Sequence, residues 1–219
     1  MRVIQMTFLF DLFFTLVTSQ THVYEHEISY LGITWPEWER CVRESGAYLG
    51  RVTVPTEILR EIVRCAGKEL SEEALRRMCA RRILRVWDIV TMVQPEILEP
   101  LGELRRRGHR LCLVSNADAI DALPWTATPL APLFDEAIFS CDVHLQKPEP
   151  AIYLLAARRM GAHPEDCVFV GDGGSNELAG AKAVGMRTVQ ARHFLQRQAQ
   201  GADHIIERFE DILEIESLF

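Results

Sequence analysis

TFLFDLFFTLV, residues 7–17, is the stretch on which the reading of this chain turns. Phe8, Leu9 and Phe10 run into a single carboxylate, Asp11, and apolar residues resume on either side of Thr15. A short run that is hydrophobic throughout suits a strand covered on both faces, the central strand of a parallel sheet. In open α/β sheets ligands sit beyond the carboxyl ends of the strands, so a carboxylate closing such a strand faces the place where chemistry happens. Buried among phenylalanines, it would cost several kcal/mol unless a cation or donors offset it. Two plainer readings compete: an Asp capping the next turn, or the apolar segment of a signal peptide following Arg2. Against the second, an Asp in the middle of an inserting segment costs about 2.5–3.5 kcal/mol, and no small-x-small cleavage site follows.

Downstream of residue 94 the chain alternates helix and strand. Residues 95–107 predict a helix with Ile97, Leu98, Leu101 and Leu104 inward, closed by Gly108. RLCLVS, 110–115, reads as a second buried strand. The Pro-rich stretch 123–132 reads as loop or a broken helix. Further strands are expected at 137–141, 167–171 and 187–190, with a sixth at 203–206, separated by helices at 150–160 and 176–184. An amphipathic helix is expected at 209–218. Strands alternating with helices specify a doubly wound parallel α/β sheet.

Residues 20–93 differ in character and read almost wholly helical. Pro36 marks one helix start, with Trp38, Cys41, Val42, Ser45, Tyr48 and Leu49 on one face. Thr56 is placed to cap a second, stopped by Gly67. Ser71 with Glu72 and Glu73 opens a third, carrying Leu75, Met78, Cys79 and Ile83 inward. The expected organisation is an α/β core of residues 1–19 and 94–219 with a helical lobe, 20–93, inserted after the first strand. Trp35, Trp38 and Trp87 are read as lobe core and Tyr24 as a substrate contact.

The 219 residues suit one large domain or a core with an inserted lobe. A net charge of −7 argues against a non-specific binder of nucleic acid or anionic membrane. The local exception, Arg105 to Arg107, falls where cations complement a helix C-terminus. No stretch is long and apolar enough to span a bilayer. Six cysteines without a C-x-x-C pair, several in apolar stretches, read as small core residues in a reducing, cytoplasmic setting.

Polar residues gather at four predicted strand ends: Asp11, Ser115 with Asn116, Lys147 before Pro148, and Asp172 with Glu177 five residues on. Singly, each reads as a turn residue, a helix cap or a solvated lysine. Together they put carboxylates, a hydroxyl, an amide and an ammonium along one sheet edge. Paired carboxylates there attract a hard divalent cation, best Mg²⁺, and the lysine, hydroxyl and glycine-exposed N–H groups would hold an anion beside it.

In that order the motifs resemble those of the haloacid dehalogenase-like (HAD) superfamily: hydrophobic-Asp-x-x-x-Thr-Leu at 8–16, LCLVSN at 111–116, QKPEPAIY at 146–153 and VGDGGSNELAGAKAVGM at 170–186. The helical insert resembles the cap of the subgroup holding dehalogenases and many small phosphatases. The resemblance implies Asp11 as the nucleophile, Ser115 and Lys147 binding and neutralising the transferring group, and Asn116 assisting. It implies Mg²⁺ held by Asp11, the Phe13 backbone carbonyl and Asp172, with Glu177 a ligand through water or an orienting group. Thr15 would pin the loop after the first strand, and small Gly180 and Ala181 would let their helix sit close to the sheet.

Two positions depart from the family pattern. Phosphatases of the family carry a second Asp two residues after the nucleophile, as general acid and base; here it is Phe13. That help is typically worth about 10²–10⁴-fold. The dehalogenase branch has an aromatic residue there and needs no metal. The family glycine that follows is Phe14 here, which narrows the loop. The expected function is a Mg²⁺-dependent phosphatase of a small phosphorylated metabolite. The alternatives are a 2-haloacid dehalogenase-type hydrolase and a catalytically weak phosphate- or partner-binding relative. Asp118, His22 and His26 are considered as replacement proton donors, though Asp118 reads first as a helix cap and the histidines as surface or hinge residues.

Overall fold

The computed structural model describes residues 5–19 and 25–218, so Arg2, His22 and Tyr24 lie outside it. The chain runs β1 (Thr7–Phe10), then four helices, α1 (Glu27–Leu31), α2 (Trp35–Glu44), α3 (Pro55–Cys65) and α4 (Glu72–Thr91). It continues through α5 (Pro95–Arg106), β2 (Arg110–Ser115), α6 (Ala119–Ala122), β3 (Glu136–Phe139), α7 (Ser140–Val143) and α8 (Pro150–Arg159). Last come β4 (Cys167–Gly171), α9 (Glu177–Ala183), β5 (Arg187–Ala191) and β6 (His204–Ile206), and a 3-10 helix at Phe209–Leu218.

All strand pairings are parallel, in the order β3-β2-β1-β4-β5-β6. The chain therefore builds outward from β1 through β2 to β3, then crosses to the other side of β1 for β4. Such a reversal opens a crevice at the carboxyl ends of the two strands where it occurs. Here those strands are β1 and β4, and the residues that follow them are Asp11 and Asp172.

Every residue of β1 is buried, as a strand covered on both faces requires. Phe8 and Phe10 face a layer formed by α5, the lobe helices and the chain end, where Ile97, Leu101, Phe209 and Ile212 pack. Leu9 faces the other layer with Phe169, Tyr153 and Leu178 of β4, α8 and α9. That alternation is the period of two of an extended chain.

Several element boundaries differ from those read in the sequence. The third strand ends at Phe139, because the Ser140 hydroxyl bonds both the N–H and the carbonyl of Ala117 and the chain turns into α7 there. Helix α2 ends at Glu44, since Gly46 takes a left-handed φ of 75°; Ala47–Leu49 is a separate 3-10 turn. Val54, not Thr56, occupies the N-cap of α3, with Pro55 in the first helical position. Helix α9 begins one residue later than expected, because Asn176 is left-handed. The last segment buries Phe209, Ile212 and Ile215, a spacing of three that matches a 3-10 helix. Residues 123–132 hold two 3-10 turns, Trp125–Ala127 and part of Ala131–Leu133. Trp38 is buried, but Trp35 and Trp87 are 39% and 40% exposed and are not core.

Candidate active site

Asp11 follows β1 and is held in line with the sheet by its N–H, which donates to the Val170 carbonyl of β4 at 2.9 Å. Its side chain is gripped at both oxygens. Lys147 Nζ donates to Oδ1 at 2.5 Å and Thr15 Oγ1 to Oδ2 at 3.1 Å. The loop beyond closes on itself, with the Phe14 N–H donating to the Val17 carbonyl at 2.7 Å. Phe14 has a φ of 60°, a left-handed conformation that glycine adopts freely and a bulky residue adopts under strain. This chain keeps the glycine backbone shape with a phenylalanine in it.

Lys147 reaches the same point from the loop before α8. Its Nζ also donates to Glu177 Oε2 at 2.6 Å, and it is 3% exposed. Asn116 sets its approach: the Asn116 amide donates to the Lys147 carbonyl at 2.9 Å and accepts from the Lys147 N–H at 2.8 Å. Both ends of the Asn116 side chain are thus committed to the lysine backbone, which leaves the backbone as the part of Asn116 able to assist, one of the two routes expected. Ser115 is fully buried, its hydroxyl has no partner, and it does not line the cavity described below.

Asp172 follows β4 as Asp11 follows β1. Its Oδ1 accepts from the Gly174 N–H at 2.9 Å, while Oδ2 is buried with no hydrogen-bond partner and Arg197 Nη1 stands 3.5 Å away. Glu177, at the start of α9, accepts from Lys147 and, through Oε1, from the Gly173 N–H at 3.1 Å. Gly171 makes room for it, since a Cβ there would lie 2.2 Å from Glu177 Oε1.

Asp11, Asp172 and Glu177 each offer an oxygen within 4.8 Å of the others. Three buried carboxylates against Lys147 and the partly exposed Arg197 leave negative charge in a poorly solvated place. Burial pushes the Asp11 carboxyl up against the pull of Lys147, and Asp172 adds to the rise. Burial, with Asp11 beside it, pushes Glu177 up to about 8. For Lys147 burial acts downward, but Asp11 and Glu177 outweigh it and hold the ammonium above its ordinary value. An all-oxygen donor set with one orphaned carboxylate oxygen fits a hard divalent cation such as Mg²⁺.

The cluster forms the floor of a cavity of about 320 Å³ between the sheet edge and helices α2 and α4. Its walls hold residues that sequence reasoning missed. Trp35 and Trp38 flank His26, with ring centroids 5.0 and 5.1 Å away, and Phe14 meets Trp35 edge-on at 6.2 Å. His26 Nδ1 accepts from the Ile28 N–H, and burial, with Arg85 and Arg82 nearby, pushes its imidazole down to about 3. Arg82 and Arg85 of α4 also line the wall. Arg82 Nη2 donates to Asp118 at 2.6 Å and to Asp121 at 3.1 Å, while Arg85 donates to Glu27 at 2.6 Å. The signal for Arg82 was present in the sequence: it falls on the buried stripe of α4 with Leu75, Met78, Cys79, Val86 and Val90. Asp118 caps α6 and pairs with Arg82, away from the cavity wall, so it is no replacement proton donor.

The profile of the haloacid dehalogenase-like hydrolase family matches residues 6–185. The chain is 32% identical over 158 residues to a phosphoglycolate phosphatase of Escherichia coli (strain K12), covering 72% of this chain and 58% of that protein. A solved HAD phosphatase from Thermococcus onnurineus superimposes with a TM-score of 0.62 at 28% identity, covering 96% of this chain and 97% of the other. The L-2-haloacid dehalogenase from Xanthobacter autotrophicus with chloropropionic acid covalently bound gives a TM-score of 0.69 at 18% identity, covering 97% and 98%, a likeness of fold. The chain spans about half the length of the curated relatives it matches.

Proposed function

The chain belongs to the haloacid dehalogenase-like hydrolases, and from that premise we propose that it is a Mg²⁺-dependent phosphatase of a small phosphorylated metabolite, acting through an aspartyl ester on Asp11. The observation that carries this reading is the trio Asp11, Asp172 and Glu177, with oxygens within 4.8 Å of one another and an orphaned Asp172 Oδ2. A cation site beside the nucleophile serves phosphoryl transfer, in which negative charge gathers on the group in flight. Displacement of halide from carbon has no such need.

On this reading an Asp11 oxygen attacks phosphorus, the bond to the leaving oxygen breaks, and water later attacks the aspartyl-phosphate to release phosphate. Lys147 neutralises the transferring group, Glu177 holds Lys147 in place, and Asn116 fixes the lysine backbone. Asp11, the Phe13 carbonyl and Asp172 would hold Mg²⁺, with Glu177 orienting them, and the ion when bound supplies Lewis-acid charge stabilisation. Residues 20–93 act as a cap that screens the site from water and sets the substrate. The six free cysteines suit a reducing, cytoplasmic setting.

Phe13 favours a second reading, the displacement of halide from a 2-haloacid, because halide leaves without a proton. Free-phosphate release from p-nitrophenyl phosphate, measured with Mg²⁺, with chelator and in the Asp11→Asn variant, tests the first reading. Halide release from 2-chloropropionate in the presence of chelator tests the second. Mg²⁺-dependent phosphate release lost in Asp11→Asn supports the proposal. Metal-independent halide release without phosphate release overturns it.

A further inference from the structure

Phosphate and cation chemistry account for the floor of the cavity and leave its walls unexplained. Beside Asp11 the wall is Phe13 and Phe14, and above it Trp35, Trp38, Val86 and Ile89. At about 320 Å³ the space is several times what a phosphoryl group fills. One polar feature interrupts the apolar surface. Arg82 Nε and Nη1 and Arg85 Nε are buried with no acceptor, although Nη2 of each guanidinium is paired and the Arg82 guanidinium lies over the Trp38 ring, 5.5 Å from its centroid. Buried, unmatched charged donors are rare in folded proteins and point to an acceptor that arrives with a ligand.

The charge around these arginines decides what kind of acceptor fits. Arg82 is matched by Asp118 and Asp121 and Arg85 by Glu27, so the wall has no surplus positive charge for a second anion. A neutral oxygen, carbonyl or hydroxyl, is the group that satisfies the idle N–H donors.

The proton inventory narrows the leaving group further. Beside Asp11 the cavity wall is Phe13, which offers no proton, and Glu177 and Lys147 are bound to each other. Asp121 is bound to Arg82, and Glu39 accepts from Trp35 Nε1 at 3.0 Å. His26 is neutral, and burial holds the Tyr48 phenol above its ordinary value.

Building on the phosphatase reading, we propose that the substrates are aryl phosphates, in which a flat aromatic leaving group carrying a neutral oxygen substituent fills the cavity between Phe13, Trp35 and Trp38. A phenol ionises near 10, whereas an aliphatic alcohol, like water, is several orders of magnitude less acidic. The Asp11 oxygen forms its bond to phosphorus as the P–O(aryl) bond breaks. The electron pair departs with the aryl oxide, which takes its proton from solvent. An alkyl oxide cannot leave this way at a useful rate, so the absence of an acid at Phe13 acts as a filter on substrates. Ring packing against Phe13 and the half-exposed Trp35 then supplies binding where a short hydrophilic acid would leave the cavity half empty.

The test is kcat/KM, which reports the first chemical step, for a series of substituted phenyl phosphates and for glycerol 1-phosphate and phosphoglycolate, with Mg²⁺. The expected result is a steep rise as the phenol becomes more acidic, with the alkyl esters about 10²–10⁴-fold below phenyl phosphate. Phe13→Asp is expected to raise the alkyl esters and flatten the series. Trp35→Ala, on the cavity wall, is expected to raise KM for aryl esters roughly five- to tenfold, a larger effect than on alkyl esters. Alkyl esters turned over as fast as aryl esters, or a flat series in the unaltered protein, would overturn the inference while leaving a phosphatase standing. No phosphate from any ester would overturn the phosphatase reading and this inference with it.

Discussion

Lys147 donates to Asp11 and to Glu177 from a position 3% exposed, so the two carboxylates depend on it for their charge balance. Removing one partner of a buried ion pair typically costs about 3–5 kcal/mol, because the other charge is left uncompensated. Lys147→Met is therefore expected to lower the stability measured by urea unfolding by that amount and to abolish phosphate release. Gly180 is a second residue whose chemistry is dictated by its neighbours. A Cβ there would lie 2.6 Å from the Pro148 carbonyl and 2.9 Å from Tyr153 Oη. The close approach is thus to the segment carrying Lys147 as well as to the layer beneath the sheet. Gly180→Ala is expected to cost about 1–3 kcal/mol by overpacking and to lower kcat, since the displaced segment holds the lysine. Gly102, in α5 with nothing within 4 Å, gives the contrast: Gly102→Ala is expected to stabilise by roughly 0.5–1 kcal/mol.

Beside the cavity α4 and α6 pack directly, joined by Arg82 with Asp118 and Asp121. Arg82→Met leaves two buried carboxylates facing each other and is expected to cost about 3–5 kcal/mol in urea unfolding. Asp121→Asn in the Arg82→Met background is expected to recover part of that loss. The start of α1 gives a pH signature. His26 titrates near 6.5 when unfolded and near 3 in the fold. Its contribution to stability is therefore fully present above pH 6.5 and is lost as pH falls toward 3, at about 1.4 kcal/mol per pH unit. Comparing His26→Gln with the unaltered chain at pH 7 and pH 4.5 checks this: the difference in unfolding free energy is expected to shift in favour of the variant at the lower pH. These element-level features were the least legible in the sequence. The strands showed themselves as short apolar runs because both faces of a parallel sheet are covered. The start of α7 at Ser140 and the pairing of Arg82 depend on contacts between segments far apart in the chain. Local pattern carries no record of such contacts. Trp35 illustrates the same limit: it was read as lobe core, and its place on the cavity wall follows from how α2 meets the loop after β1.

Over the whole molecule, the fold converts a sequence pattern into a site by reversing strand order at β1. Asp11 and Asp172 are more than a hundred and fifty positions apart in the chain, yet they follow adjacent strands. That much was readable from the residues alone, because a carboxylate at the end of each apolar run has only one edge on which to emerge. A ligand that binds the folded state stabilises it by about 2.7 kcal/mol at a hundred times its Kd. Mg²⁺ is accordingly expected to raise the melting temperature of the unaltered chain and to leave Asp172→Asn unchanged, measured by calorimetry. The most direct test of the account is the covalent intermediate itself. Protein mixed with p-nitrophenyl phosphate and Mg²⁺, quenched in acid and mapped by peptide mass spectrometry, is predicted to carry one phosphoryl group on the peptide containing Asp11. The Asp11→Asn variant is predicted to carry none. Phosphate released with no label on that peptide, or a label on another residue, would contradict it.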